Sequence, residues 1–167
     1  VIQFSKDLKF TPGNRAQCNL FTILTVPDST AMALCGKSKV GQGSVVINGG
    51  ALTGKVTAYN GVPTGGRPTI GLHTDVFNSS GAYSFSTTLA GVLNTKTNVL
   101  TVSIPPTGTS ITHFDTTINK IKTGKKKGQT TYYVMARCKK KKWVNTATTA
   151  FSDGSTRSST SVQKCKA

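Results

Sequence analysis

Glutamate is absent from this sequence of 167 residues, and its five acidic residues are all aspartates. Catalysis by a pair of glutamates is therefore impossible, and few carboxylates remain for acid–base chemistry. The sequence also lacks a G-x-S-x-G nucleophile motif, and no glycine-rich segment carries the Lys-Ser/Thr of a phosphate-binding P-loop. We therefore expect a protein that is not an enzyme and that requires no cofactor.

Helix-forming sequence is scarce as well. No window sustains the apolar i, i+3, i+4, i+7 pattern of an amphipathic helix, whereas threonine, serine, glycine, valine and isoleucine are abundant. Short β-prone runs between glycine and proline turns predict an all-β fold, namely a single antiparallel β-sandwich or jelly-roll-like domain over residues 1–167. Pro105-Pro106 is the best candidate for an internal boundary.

The predicted strands follow the apolar runs between turn signals. They cover residues 16–26, 44–48, 52–59, 69–77, 82–89, 99–104, 111–121, 131–138, 143–151 and 156–165. Residues 31–35 fit either a strand or one helical turn, and residues 60–68 predict a loop. The last three runs are joined by a tetralysine connection and a Ser152-Asp153-Gly154 turn, which predicts a three-stranded meander.

Residues 1–10 are also β-prone, and Pro12-Gly13 follows them. A strand of this length can leave its own domain and complete a sheet in the next copy, which would make the protein a filament subunit. The alternative is an ordinary first strand of the same domain. Copies of the protein are therefore one expected partner, through strand exchange or edge pairing.

The four cysteines are Cys18, Cys35, Cys138 and Cys165, and four cysteines allow three disulfide connectivities. The pairing Cys18–Cys35 and Cys138–Cys165 closes two local loops, fits neighbouring antiparallel strands and is the one we favour. In residues 131–138, alternation places Cys138 and Val134 together on the core face. Tyr133 is then expected on the opposite face. Disulfides predict an extracellular protein, and a chain that starts at Val1 is expected after removal of a signal peptide. No apolar run approaches transmembrane length.

Basic residues outnumber acidic ones by 21 to 5, which gives a formal charge of +16. An anionic polymer is therefore a second expected partner. The candidate polyanion-binding residues are clustered in the second half of the chain: Lys120, Lys122, Lys125, Lys126, Lys127, Arg137, Lys139, Lys140, Lys141 and Lys142. They predict two patches, in loops at opposite ends of strand 131–138 and roughly 25 Å apart. The alternative is that these lysines only keep the strand connections solvated.

Two H-x-D motifs, His73/Asp75 and His113/Asp115, are weak candidates for metal ligands. Residues i and i+2 of a strand share a face, so four ligands would converge if the two strands were neighbours. The alternative is a polar position with a hydrogen bond between His and Asp in each motif.

One resemblance covers residues 99–165. The segment LTVSIPP, followed by ITHFDTTINKI, a lysine-rich connection, YYVMARC, a lone Trp, FSDGS and a closing QKC, is similar to the C-terminal part of large secreted β-sandwich proteins of actinobacteria. The resemblance implies an extracellular β-sandwich with a Cys138–Cys165 disulfide, and it transfers no catalytic residue.

Two functions follow from the sequence as expectations. The first is a secreted, non-enzymatic structural or cell-surface protein that assembles into filaments. The second is an extracellular module that binds DNA, teichoic acid or acidic polysaccharide through lysine-rich loops.

Overall fold

The computed structural model describes residues 1–104, 110–126 and 128–166, without the side chains of Asn14, Lys126 and Gln129. Within these residues most of the chain is β-strand, so the all-β class is confirmed. The proposed boundary at Pro105-Pro106 lies outside the described residues. Among the described residues, no helix is long and apolar enough to span a membrane.

The described residues form thirteen strands and one α-helix. The helix α1 is Asp28–Cys35, and the strands are β1 Ile2–Gln3, β2 Leu8–Phe10, β3 Lys39–Ile47, β4 Leu52–Thr64, β5 Arg67–Asn78, β6 Tyr83–Asn94, β7 Val99–Val102, β8 Ile111–Ile118, β9 Lys122–Lys126, β10 Gln129–Tyr132, β11 Val134–Ala136, β12 Lys142–Ala150 and β13 Thr156–Lys164.

Nine of these strands form one antiparallel sheet in the order β13-β12-β1-β7-β6-β5-β4-β3-β8. The other four form two hairpin-sized sheets, β9 with β10 and β2 with β11. The pairing among the described residues thus gives one dominant sheet with two small ones. The more specific sandwich description remains an expectation.

The centre of the large sheet is covered on both faces. Because side chains alternate along a strand, Val56 and Ala58 of β4 join the main apolar cluster, while Tyr59 joins a second cluster with α1 and the Cys18–Cys35 disulfide. The main cluster also contains Phe10 of β2 and Tyr133, so the β2–β11 sheet packs against this face. Strands β2 and β11 therefore cover one side of the main apolar cluster.

The N-terminal residues occupy an ordinary place in their own domain. Strand β1 lies between β12 and β7, with Ile2 opposite both Ala147 and Leu100. This arrangement corresponds to the alternative that the sequence left open, and strand exchange gains no support from it.

Residues 16–26 were predicted as a core strand, and this prediction is wrong. The segment contains a 3₁₀ turn at Leu20–Ile23, where Asn19 accepts a hydrogen bond from the Phe21 backbone N–H at 3.2 Å. Ile23 is fully buried and Phe21 is 86% exposed. The apolar residues thus follow a turn-like spacing, and the Cys18–Cys35 disulfide ties the segment to α1. The undecided residues 31–35 form the end of that helix.

The predicted loop at residues 60–68 is also wrong, because β4 and β5 extend into it as a hairpin. Gly65 and Gly66 both have positive φ, as a tight hairpin turn requires. The register shifts between Gly61 and Thr64, and this irregularity accommodates Pro63 without breaking the hairpin.

The predicted three-stranded meander is only partly correct. Strands β12 and β13 pair along their whole length, but the other neighbour of β12 is β1. The run 131–138 is not one strand, because it breaks at Tyr133. The Tyr133 N–H donates to Ile121 O at 2.8 Å, and the Tyr133 carbonyl accepts from the Thr11 N–H at 2.9 Å. The chain therefore changes its pairing partner at Tyr133, from β9 before this residue to β2 after it. Tyr133, predicted to face away from the core, is fully buried.

Candidate functional site

A basic groove of about 630 Å³ lies where β2, β10 and β11 meet. We call it the basic groove and define it by its lining residues: Lys6, Asp7, Leu8, Lys9, Thr11, Thr130, Thr131, Met135, Ala136, Arg137 and Lys139. Four of these residues are cationic and one is anionic. The groove therefore brings cationic residues from distant parts of the chain to one surface.

Backbone pairing between β2 and β11 builds one wall of the groove. Lys9 lies opposite Met135, and Leu8 lies opposite Ala136. The pairing continues beyond the strands, since the Arg137 N–H donates to Asp7 O at 2.8 Å. This ladder brings Lys6 and Lys9 to the same site as Arg137, although some 130 residues separate them in sequence.

Asp7 has a structural part in the groove in addition to its charge. Its carboxylate oxygen Oδ2 accepts a hydrogen bond from the Lys139 backbone N–H at 3.0 Å. A charged acceptor makes this bond stronger than a neutral one. Asp7 therefore holds residues 137–139 at two points. Its backbone carbonyl binds the Arg137 N–H, and its carboxylate binds the Lys139 N–H.

Residues 137–139 have two further contacts that hold them in place. Trp143 Nε1 donates to Arg137 O at 2.7 Å, and Cys138 is bonded to Cys165 at a Cα–Cα distance of 5.8 Å. A segment with this many fixed points loses little conformational entropy when a ligand orders it. The basic residues Arg137 and Lys139 thus lie on a backbone that is already positioned.

The lining of the groove combines cationic residues with the apolar residues Leu8, Met135 and Ala136. Lys6, Lys9, Arg137 and Lys139 are all exposed, and Met135 is 38% exposed. None of the described residues that line the groove is aromatic, so the lining offers no platform for stacking nucleic-acid bases. Point charges that lysine supplies suit phosphate, sulfate or carboxylate groups of any sequence.

The predicted basic residues divide among three places. Arg137 and Lys139 line the groove, whereas Lys140, Lys141 and Lys142 continue into the β11–β12 connection and the start of β12. Lys122 and Lys125 belong to β9, and Lys120 Nζ lies 5.0 Å from the centre of the Tyr132 ring. Lys126 is also in β9, and Lys127 lies outside the described residues.

The prediction of two loop patches at the ends of one strand is therefore wrong. Residues 122–126 form a strand paired with β10, and no single strand connects them to residues 139–142. The sequence also gave no reason to select Lys6 and Lys9. Their only signal was the positive charge within a β-prone segment, and the pairing partner of that segment is decided by the tertiary structure.

The two H-x-D motifs do not converge. His73 and Asp75 are on β5, His113 and Asp115 are on β8, and β4 and β3 lie between these strands. Among the described residues no group of three or more His, Cys, Asp or Glu side chains is placed to hold a metal ion. Each motif instead brings a histidine Nε2 within 3.5 Å of its aspartate, buried in the first and exposed in the second. The geometry therefore does not bring the four candidate ligands together in one site.

The buried motif belongs to a polar network beneath α1. Both carboxylate oxygens of Asp75 accept from the Asp28 backbone N–H at 3.0 Å, at the first residue of the helix. Ser86 Oγ donates to Asp75 Oδ1 at 2.6 Å, and His73 Nδ1 lies 2.9 Å from Thr88 Oγ1. The Asp75 carboxylate thus satisfies the start of α1 and complements its dipole, which is a structural role.

Tyr59 is buried against this network, with no exposed surface. Burial raises the pKa of its hydroxyl well above the ordinary value of 10.0, and the negative charge of Asp28 adds to the shift. Burial also raises the pKa of Tyr133 on the other face of the sheet. Both phenols therefore stay neutral in the folded protein at pH values where an exposed tyrosine ionises.

No protein-family model, no curated protein and no solved structure matches this chain. The resemblance of residues 99–165 to actinobacterial proteins thus stays an expectation. The two disulfides are present in the pairing that the sequence favoured. The two disulfides do not join neighbouring strands, although this was expected. Cys35 is the last residue of a helix, and Cys138 follows β11, which is not a neighbour of β13 in the sheet.

Proposed function

We propose that this protein is an extracellular, non-enzymatic module that binds an anionic polymer in the basic groove. The observation that carries the proposal is the convergence of Lys6, Lys9, Arg137 and Lys139 on one surface. The two disulfides support an extracellular setting, because oxidising compartments are where such bonds persist.

The electrostatics of the whole chain favour the same function. A formal charge of +16 attracts polyanions over long range at low salt, and the groove then provides the close contacts. Three of the four cations are lysines, which bind anionic groups as point charges and do not select a base sequence. Phosphate and carboxylate polymers both carry the chemistry that the groove recognises.

Charge-matched double variants test this proposal. Lys9→Gln/Arg137→Gln removes two positive charges from the groove, and Lys140→Gln/Lys141→Gln removes two charges outside its lining. Binding of inorganic polyphosphate, polygalacturonate and duplex DNA is measured over a series of salt concentrations. The groove variant should lower affinity about tenfold and reduce the slope of log K against log salt by about 0.7–0.9 per contact removed. The comparison of the three polymers shows which anionic group is preferred.

The control variant should retain most of the wild-type affinity and slope. An equal loss of affinity in both variants would mean that diffuse charge alone drives binding, and it would overturn the proposal that the groove is the binding site. Unchanged binding in the groove variant, or no binding of any of the three polymers by the wild type, would overturn it as well. Unfolding midpoints of both variants establish that the comparison is made between folded proteins.

A further inference from the structure

Strand β13 is an edge strand with unusual exposure. It ends the nine-stranded sheet, and each of its residues is exposed on the described chain. It pairs with β12 over nine consecutive positions without a register shift. One side of this strand therefore presents a straight row of backbone groups with no partner strand among the described residues.

The phase of the backbone hydrogen bonds shows which residues face outward. The Phe151 N–H donates to Ser155 O at 2.9 Å, and the Cys165 N–H donates to Lys141 O at 3.0 Å. Both pairs join odd-numbered residues across the β12–β13 hairpin. Antiparallel pairs alternate, so the even-numbered residues of β13 direct their N–H and C=O groups away from β12. These residues are Thr156, Ser158, Thr160, Val162 and Lys164.

The opposite edge of the sheet is protected in ways that β13 is not. Strand β8 has a register shift against β3 between Val46 and Ile47, and it carries the exposed pair His113 and Asp115. Bulges and charged side chains are the usual devices against edge pairing. On β13 the only charges are Arg157 and Lys164, near its two ends, and its middle is uncharged without proline.

We infer that β13 pairs antiparallel with β13 of a second copy, across a two-fold axis at Thr160. In this register Arg157 lies opposite Gln163 of the second copy and Lys164 lies opposite Thr156, so no like charges face each other directly. The five outward residues form pairs that give about ten backbone hydrogen bonds. A parallel, in-register arrangement would instead place each Arg157 beside its own copy, which is unfavourable.

The two-fold pairing makes a closed dimer because both copies use the same surface. It joins two large sheets edge to edge and leaves both basic grooves in one particle. A polymer long enough to reach both grooves would bind with higher avidity than a single groove allows. The dimer itself does not depend on the proposed function, since it rests on β13 alone.

Cysteine crosslinking tests the register in the full chain with its native disulfides intact. Thr160→Cys lies opposite itself in the proposed dimer, at a Cα–Cα distance of about 5.5 Å that a disulfide can span. Ser158→Cys is the matched control, because the two copies of residue 158 are about 14 Å apart along the strands. Mild oxidation should give a covalent dimer of Thr160→Cys and little or none of Ser158→Cys. Equal crosslinking of both variants would indicate parallel or random pairing and would overturn the register.

Sedimentation at increasing protein concentration tests the dimer without crosslinking. The mass of the wild type should rise from 17.6 kDa to twice that value. Thr160→Lys places two like charges on the axis and should raise the dimer dissociation constant about tenfold or more, whereas Ala150→Lys, one strand away from the edge, should not. A wild type that remains monomeric at high concentration, or growth beyond a dimer into larger assemblies, would contradict the proposal.

Discussion

At the scale of single residues, burial changes what a side chain does more than its type predicts. His73 and Asp75 have the composition of a ligand pair, but they satisfy Thr88, Ser86 and the start of α1. The tyrosines show the same effect. Tyr59 and Tyr133 have no exposed surface, and burial holds their phenols in the neutral form.

The raised pKa of Tyr59 predicts a loss of stability at alkaline pH. Because the unfolded chain ionises near pH 10 while the folded one does not, the stability is present below that pH and decreases as the pH rises above it. The free energy of unfolding, measured with denaturant, should therefore decrease between pH 9 and 11, by at most about 1.4 kcal/mol per pH unit for each such group. Tyr59→Phe should make this decrease shallower, because it removes the phenol whose pKa burial raises. An identical pH dependence in Tyr59→Phe and the wild type would contradict the assignment.

At the scale of elements, the groove depends on contacts between segments that are far apart in sequence. Strand β2 pairs with β11, and Asp7 extends this ladder to the residues after β11 through the Arg137 and Lys139 backbone N–H groups. Charge alone and groove geometry therefore make opposite predictions for Asp7.

Asp7→Ala raises the net charge by one, so a purely electrostatic binder should gain affinity for a polyanion. We expect the opposite, a loss of affinity of about three- to tenfold, because the Lys139 backbone N–H loses its charged acceptor. Asp7→Asn is the matched control, since it removes the same charge and keeps an oxygen that can accept the bond. Polyphosphate titrations of both variants decide between the two views. Equal gains in both would show that the geometry at Asp7 does not matter.

At the scale of the whole molecule, the charge of +16 affects the two proposed interactions in opposite directions. Polyanion binding draws on this charge, whereas two copies that meet at β13 repel each other through it. Screening weakens both effects as the Debye length falls from about 30 Å at 0.01 M salt to about 3 Å at 1 M.

Raising the salt concentration should therefore weaken polyanion binding and strengthen dimerisation. The two measurements are titration of the polymer and sedimentation of the protein alone, in the same buffers. Protein with acetylated lysines, whose formal charge falls from +16 to about −1 because only its arginines stay cationic, should show a smaller dependence of dimerisation on salt. Dimerisation that weakens with salt would mean that attraction between charges, and not backbone pairing at β13, holds the copies together.

The local part of the fold could be predicted from the sequence. The hairpins at Asn78–Gly81 and Asp153-Gly154 follow from turn chemistry between β-prone runs, and β5, β6, β12 and β13 are close to their predicted positions. The errors lie where non-local contacts decide. Gly65-Gly66 turned an apparent loop into a hairpin, and the burial of Tyr133 broke an apparent strand.

The all-β class, the strong positive charge and the residues that form local turns can be read from the sequence, because they depend on composition and on neighbours along the chain. The pairing of β2 with β11, and the position of β1 between β12 and β7, depend instead on non-local contacts. The physical reason is that strand pairing is a choice among partners of similar propensity, and the burial of side chains such as Phe10 and Tyr133 selects one of them. That selection brings Lys6 and Lys9 to Arg137 and leaves β13 at an open edge.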